Sequence, residues 1–138
     1  MYTDNPRIQQ LMSIGQPDWG REWPDYVAEY QFGANDVFDL VALFEDGQLE
    51  PGDDQAPEMW ASLHAWRALG QIGDPAAIAP IISSFDTRYD DDAALEELGK
   101  VMGMFGAQAI APLTEYWQRP GKDEFAYVIA MDSLAEIA

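Results

Sequence analysis

Along the first 45 residues, large apolar side chains recur at three- and four-residue steps. Asn5-Pro6 reads as a helix start, with Asn as the cap and Pro at the first helical position. Ile8, Leu11 and Met12 follow on one face, and Gly15 is suited to end the helix left-handed. A second helix is expected from about Trp19 to Tyr30, with Trp19, Trp23, Tyr26 and Tyr30 in line and Gly33 as its stop. Asn35 is expected to cap a third helix carrying Val37, Leu40, Val41 and Phe44. No stretch alternates with period two for long enough to indicate a strand. Residues 46–56, rich in Gly, Pro and acidic positions, read as a long loop.

The second half repeats itself. Leu69-Gly70-Gln71-Ile72-Gly73 returns as Met102-Gly103-Met104-Phe105-Gly106, and Ala77-Ile78-Ala79-Pro80-Ile81 returns as Ala109-Ile110-Ala111-Pro112-Leu113. A third copy starts near Asp123, where Val128, Met131, Leu134 and Ile137 stand in the register of Leu63, Trp66, Leu69 and Ile72. Leu11 to Pro17 is a fainter echo of Leu69 to Pro75. A period near 30 residues with two helices per unit predicts an all-α fold, an α-solenoid of antiparallel helix pairs with about seven or eight helices. Within each repeat Gly73 permits the tight turn, Asp74 caps the following helix and Pro75 suits its first position. Pro80 and Pro112 are expected to kink or delay the helix start. The expected organisation is one domain over residues 1–138. Residues 1–45 form divergent helices, 46–56 an acidic loop and 57–138 the recognisable repeats, the last incomplete.

The run from Leu69 through Gly73-Asp74-Pro75 and Ala79-Pro80 to Ile82 resembles the short HEAT-like repeats named after phycobilisome lyases. The resemblance extends over about residues 57–138 and is nearest to bacterial HEAT-repeat proteins. It implies a right-handed stack of helix pairs used mainly as a protein-binding scaffold. An alternative that the same resemblance carries is a lyase-type protein gripping a tetrapyrrole or similar small molecule in its concave face.

Charge narrows the partners. Seven Lys and Arg face 25 Asp and Glu, a formal charge of −18, so neither nucleic-acid phosphates nor an anionic membrane surface is an expected ligand. A basic protein partner fits, as does an acidic mimic of nucleic acid that occupies a basic groove. With no cysteine, disulfides and thiol chemistry are excluded. The N-terminus lacks the basic and apolar regions of a signal peptide, and no apolar run approaches a membrane span, so a cytoplasmic location is expected. A single histidine excludes a His pair or triad within the chain. No catalytic residue, cofactor or resident metal is therefore assigned.

The candidate contacts are few. Trp60, His64 and Arg67, on successive helical turns, suit either a stacked recognition patch or simple packing between helices. Asp90, Asp91 and Asp92, with Asp86, Glu96 and Glu97, suit a hard cation or, more plainly, the positive end of a helix dipole. The line Trp19, Trp23, Tyr26, Tyr30 reads as core or as a peptide-binding strip. Of Tyr116 and Trp117, only one can face fully inward, leaving its neighbour available to a partner. The inter-repeat loops at 45–58, 86–92 and 119–124 are expected along one rim. The first two carry ten carboxylates, Asp53, Asp54 and Asp90 to Asp92 prominent among them, set against Arg88 alone. Finally, a third repeat without its second helix suggests self-association through residues 123–138; a longer natural chain, or a last helix that caps itself, are the alternatives.

Overall fold

A computed structural model describes residues 2–46 and 57–138. The architecture is all-α, with no strand among the described residues. They fall into two compact units, Met1–Ile72 and Gly73–Ala138, so the division comes at the turn glycine of a repeat and not at the acidic loop.

The first unit contains α1 (Pro6–Met12), α2 (Tyr26–Tyr30), α3 (Val37–Glu45) and α4 (Ala61–Ile72). Asn5 caps α1 as expected, its side chain accepting the Arg7 N–H, with Pro6 in the first turn. The helix closes at Met12, and the left-handed Gly15 (φ +80°) turns the chain three residues later. Residues 19–25 are not helical, which corrects the expected helix from Trp19 to Tyr30. Pro24 is the physical reason: its ring drives Trp23 out of the helical region, and helix begins only where Asp25 accepts the Ala28 N–H. Gln31, left-handed at φ 59°, ends α2 before Gly33 is reached. Asn35 is not the cap of the third helix. Instead Asp36 accepts the Gly33 N–H across a 3₁₀ turn, Ala34–Asp36, that leads into α3. Inside the unit α4 packs against α1, α2 and α3. Trp66 meets Phe44 edge-on with ring centroids 6.1 Å apart, and Leu11, Leu40, Leu43 and Leu69 are fully buried in the same unit.

The second unit contains α5 (Ile78–Arg88), α6 (Asp92–Phe105), α7 (Ile110–Gln118) and α8 (Glu124–Ile137). Here the repeat is read out directly. Gly73 sits at φ 73°, Asp74 accepts the Ala76 N–H, and a 3₁₀ turn, Pro75–Ala77, precedes α5. The second copy repeats the left-handed glycine, Gly106 (φ 71°), and the 3₁₀ turn Gly106–Ala109 before α7, without a side-chain cap. Pro80 and Pro112 thus fall in the first turn of an α-helix whose start is delayed, where a missing N–H leaves no acceptor stranded.

Helices α6 and α8 lie side by side and parallel. A Cβ on Gly99 would stand 3.1 Å from Cβ of Asp132, and one on Gly103 would stand 2.8 Å from Cβ of Glu136. Both pairs are 33 residues apart, the period of the repeat. Helix α5 packs on α7 in turn, giving this unit the packing of an α-solenoid.

Candidate partner-binding surfaces

Of the three residues expected to form a patch on α4, His64 and Arg67 are buried and Trp60 is half-buried. This corrects the recognition patch, because α4 is packed on all sides from Ala61 to Gly70. The His64 Nε2 lies 2.7 Å from the Gly15 carbonyl, which only accepts, so Nε2 carries the proton. Nδ1 then accepts from the Tyr26 hydroxyl, also at 2.7 Å. The Arg67 guanidinium lies 4.5 Å over the Trp23 ring. Gln71 donates to the Pro24 carbonyl and accepts the Tyr26 N–H. Together these side chains hold the irregular segment 15–26 on α4, which is an internal, structural task. The four aromatics expected on one helix face are split accordingly. Tyr26 is in the core, stacked with Tyr30, while Trp19 projects to half exposure with its ring edge on Trp60.

The acidic rim divides into three kinds of carboxylate. Asp53 and Asp54 lie outside the described residues. Asp91 caps α6, accepting the N–H groups of Ala93 and Ala94, and its carboxylate is 3.9 Å from Arg88. Asp90 and Asp92 on either side are exposed. Glu97 is buried within α6 while Glu96 is exposed. Among the described residues no group of three or more His, Asp or Glu side chains converges on a point where a metal ion would sit. The aspartate run opens a helix.

Asp86 joins two of the rim loops. Tyr116 donates to its Oδ1 at 2.7 Å, and Lys122 Nζ lies 3.1 Å from its Oδ2. Burial raises the Asp86 pKa, but the hydrogen bonds from Tyr116 and Lys122 outweigh it and leave the carboxyl below its ordinary value. Burial first, then the Asp86 carboxylate, pushes the Tyr116 phenol well above its ordinary value. Tyr116 is 1% exposed and Trp117 45%. The inward tyrosine is thus fixed as a loop tie, and the outward tryptophan lies edge-on to Tyr127 at 5.5 Å.

The third repeat holds the largest departure from the sequence reading. Val128 and Met131, read in the register of core residues, are 37% and 51% exposed, and Leu134 and Ile137 are half-buried. The inward face of α8 is Ala126, Ile129, Ala130 and Ser133. Gly99 and Gly103 of α6 face the backbone of α8 at Asp132, Ser133 and Glu136, so the two helices approach closely, and Val128 and Met131 are left on the exposed side. The signal for the close approach was present in Gly99 and Gly103, and the apolar repeat register concealed it.

Neither a curated protein nor a solved structure matches the chain. HEAT-like repeats are helical units that commonly mediate protein interactions, and no helix among the described residues is long and apolar enough to cross a membrane. Residues 65–87, from the middle of α4 to the end of α5, match the family model of the PBS lyase HEAT-like repeat.

Proposed function

We propose that this protein is a non-catalytic recognition module for a basic protein partner. The observation that supports this most is the charge of −18 carried on a helical repeat scaffold. On the described part of the rim, Asp90 and Asp92 are exposed, while the cations Arg88 and Lys122 already lie beside Asp91 and Asp86. Such a surface steers a cationic partner and repels nucleic acid.

The test is titration with a Lys-rich peptide that has no fixed structure. Affinity is expected to fall steeply as salt rises through the physiological range, since the Debye length contracts to about 8 Å there. Changing Asp90 and Asp92 together to Asn is expected to slow association about 3- to 10-fold. Random duplex DNA is expected to give no salt-sensitive binding at micromolar concentration. A peptide affinity indifferent to salt, or DNA binding of that kind, overturns the reading.

A further inference from the structure

We propose that the outward face of α7 and α8, centred on Trp117, Tyr127, Val128 and Met131, docks a cationic amphipathic helix of the partner. The proposal rests on the basic-partner reading and gives it an address and a shape.

The anchors form one surface. Trp117 and Tyr127 meet edge to face, Met131 follows Tyr127 by one helical turn, and Val128, three positions before Met131, continues the exposed side of α8. The Tyr127 hydroxyl donates to the Arg119 carbonyl and accepts the Lys122 N–H, so the ring is held in place before any partner arrives. Aromatic side chains that are ordered in advance are what binding hot spots consist of. Fourteen residues of α8 span about 20 Å, enough for roughly four turns of a helix laid alongside.

Charge decides the occupant. Helix α8 carries exposed Glu124 one turn before Val128 and two before Met131, exposed Asp132 and Glu136 along its flank toward α6, and no Lys or Arg. The nearby cations are committed elsewhere, Arg119 to Glu115 at 2.7 Å and Lys122 to Asp86 at 3.1 Å. A neutral apolar partner covering this face strips water from carboxylates without replacing it. A second copy brings the same three carboxylates and a further −18. A helix with an apolar stripe flanked by Lys or Arg satisfies both components at once, the helix-in-groove mode of recognition.

The probe is a synthetic Leu/Lys peptide in helical amphipathic order, compared with a scrambled peptide of identical composition that lacks an apolar face. At near-physiological salt the ordered peptide is expected to bind about tenfold tighter. Met131→Asp, and independently Trp117→Gln on the other helix, are expected to erase that difference while circular dichroism shows unchanged helicity. Asp90→Asn with Asp92→Asn is expected to weaken both peptides equally and leave the ratio intact. Equal binding of the two peptides overturns the docking face and leaves the basic-partner reading standing. Binding of neither at low salt overturns both. A dimer that forms with concentration and is dissolved by Met131→Asp overturns the cationic occupant in favour of a second copy.

Discussion

Helices α4 and α8 stand in the same repeat register, yet their equivalent residues meet opposite environments. Leu63, Trp66 and Leu69 are 3%, 1% and 0% exposed, whereas Val128 and Met131, in the positions of Leu63 and Trp66, are 37% and 51% exposed. In α4 the large side chains find α1, α2 and α3 around them. In α8 the buried residues are Ala126, Ile129, Ala130 and Ser133, and its backbone at Asp132, Ser133 and Glu136 comes close to a glycine pair on α6. A repeat pattern therefore fixes which positions are apolar, and the neighbours available to each helix decide which of them are buried. The difference also explains why the candidate docking face belongs to α8: the same stripe is core in one helix and surface in the other.

The sharpest break of this comparison is truncation at equivalent positions. Trp66→Ala is expected to cost about 3–5 kcal/mol, since it removes a buried indole and its edge contact with Phe44. Leu69→Ala and Ile81→Ala, both from fully buried positions, are expected to cost about 2–5 kcal/mol. Denaturant midpoints measure these losses. A Trp66→Ala midpoint close to that of the wild type would show that α4 is not the centre of its unit.

Much of this was legible from local chemistry alone. The turn Gly73-Asp74-Pro75, the cap Asn5, the helix start at Asp90 to Asp92, and the delayed helix starts at Pro80 and Pro112 follow from residue type and spacing, because each is decided within one turn of backbone. The expected helix from Trp19 to Tyr30 failed because four aromatics at helical spacing outweighed Pro24, which ends helix on its N-terminal side whatever the pattern. The patch at Trp60, His64 and Arg67 was illegible for a different reason. Whether a polar side chain on an amphipathic helix is presented or buried depends on how many sides of that helix are covered, and α4 is covered on all of them. The tie from Tyr116 and Lys122 to Asp86 spans about a repeat of sequence, and no local signal announces it.

A second test addresses the close packing of α8 on α6. Alanine normally favours a helix over glycine by up to about 1 kcal/mol. At Gly103, however, the new Cβ would meet Cβ of Glu136 at 2.8 Å, a contact that must be relieved by moving one backbone. Gly103→Ala is expected to destabilise by about 1–3 kcal/mol through overpacking. Gly99→Ala, with 3.1 Å to Asp132, is expected to cost less. Thermal denaturation ranks the two. A gain in stability at Gly103 would mean that α8 does not approach α6 as closely as the two glycines allow.

Among the described residues each unit holds one carboxylate with a lowered pKa, Asp36 in the first and Asp86 in the second, and these sharpen the contrast on the acid side. Asp36 is buried, which raises its pKa, but Arg7, Asn5 and the Gly33 N–H bond its carboxylate and bring it below the ordinary value. Arg7 approaches at 2.6 Å, with the Asp36 side chain 3% exposed. Asp86 is bound by Tyr116 and Lys122 but is far more open to water. Because both folded pKa values lie below those of the unfolded chain, the stabilisation is complete above about pH 4 and is lost as pH falls through the folded values. Asp36→Asn is expected to lose about 1–2 kcal/mol at neutral pH and to flatten the acid limb of the stability curve. Asp86→Asn is expected to lose less, within about 1 kcal/mol, as exposed pairs do. Urea midpoints measured at neutral pH and on the acid limb check both. Equal losses for the two variants would remove the distinction.

The smallest expected effect tests the comparison from its other side. If the outward stripe of α8 contributes nothing to the fold, Met131→Gln and Val128→Thr should each shift stability by no more than about 0.5 kcal/mol, the range of ordinary surface changes. Glutamine keeps the length and helix propensity of methionine, so the substitution changes only the polarity of the exposed surface. Threonine keeps the β-branch of valine, which holds any propensity difference small. Near-neutral folding free energies, combined with loss of binding to the amphipathic Leu/Lys peptide, assign these side chains to recognition. A loss comparable to that of Leu69→Ala would place Met131 in the core and return α8 to the register that its repeat positions share with α4.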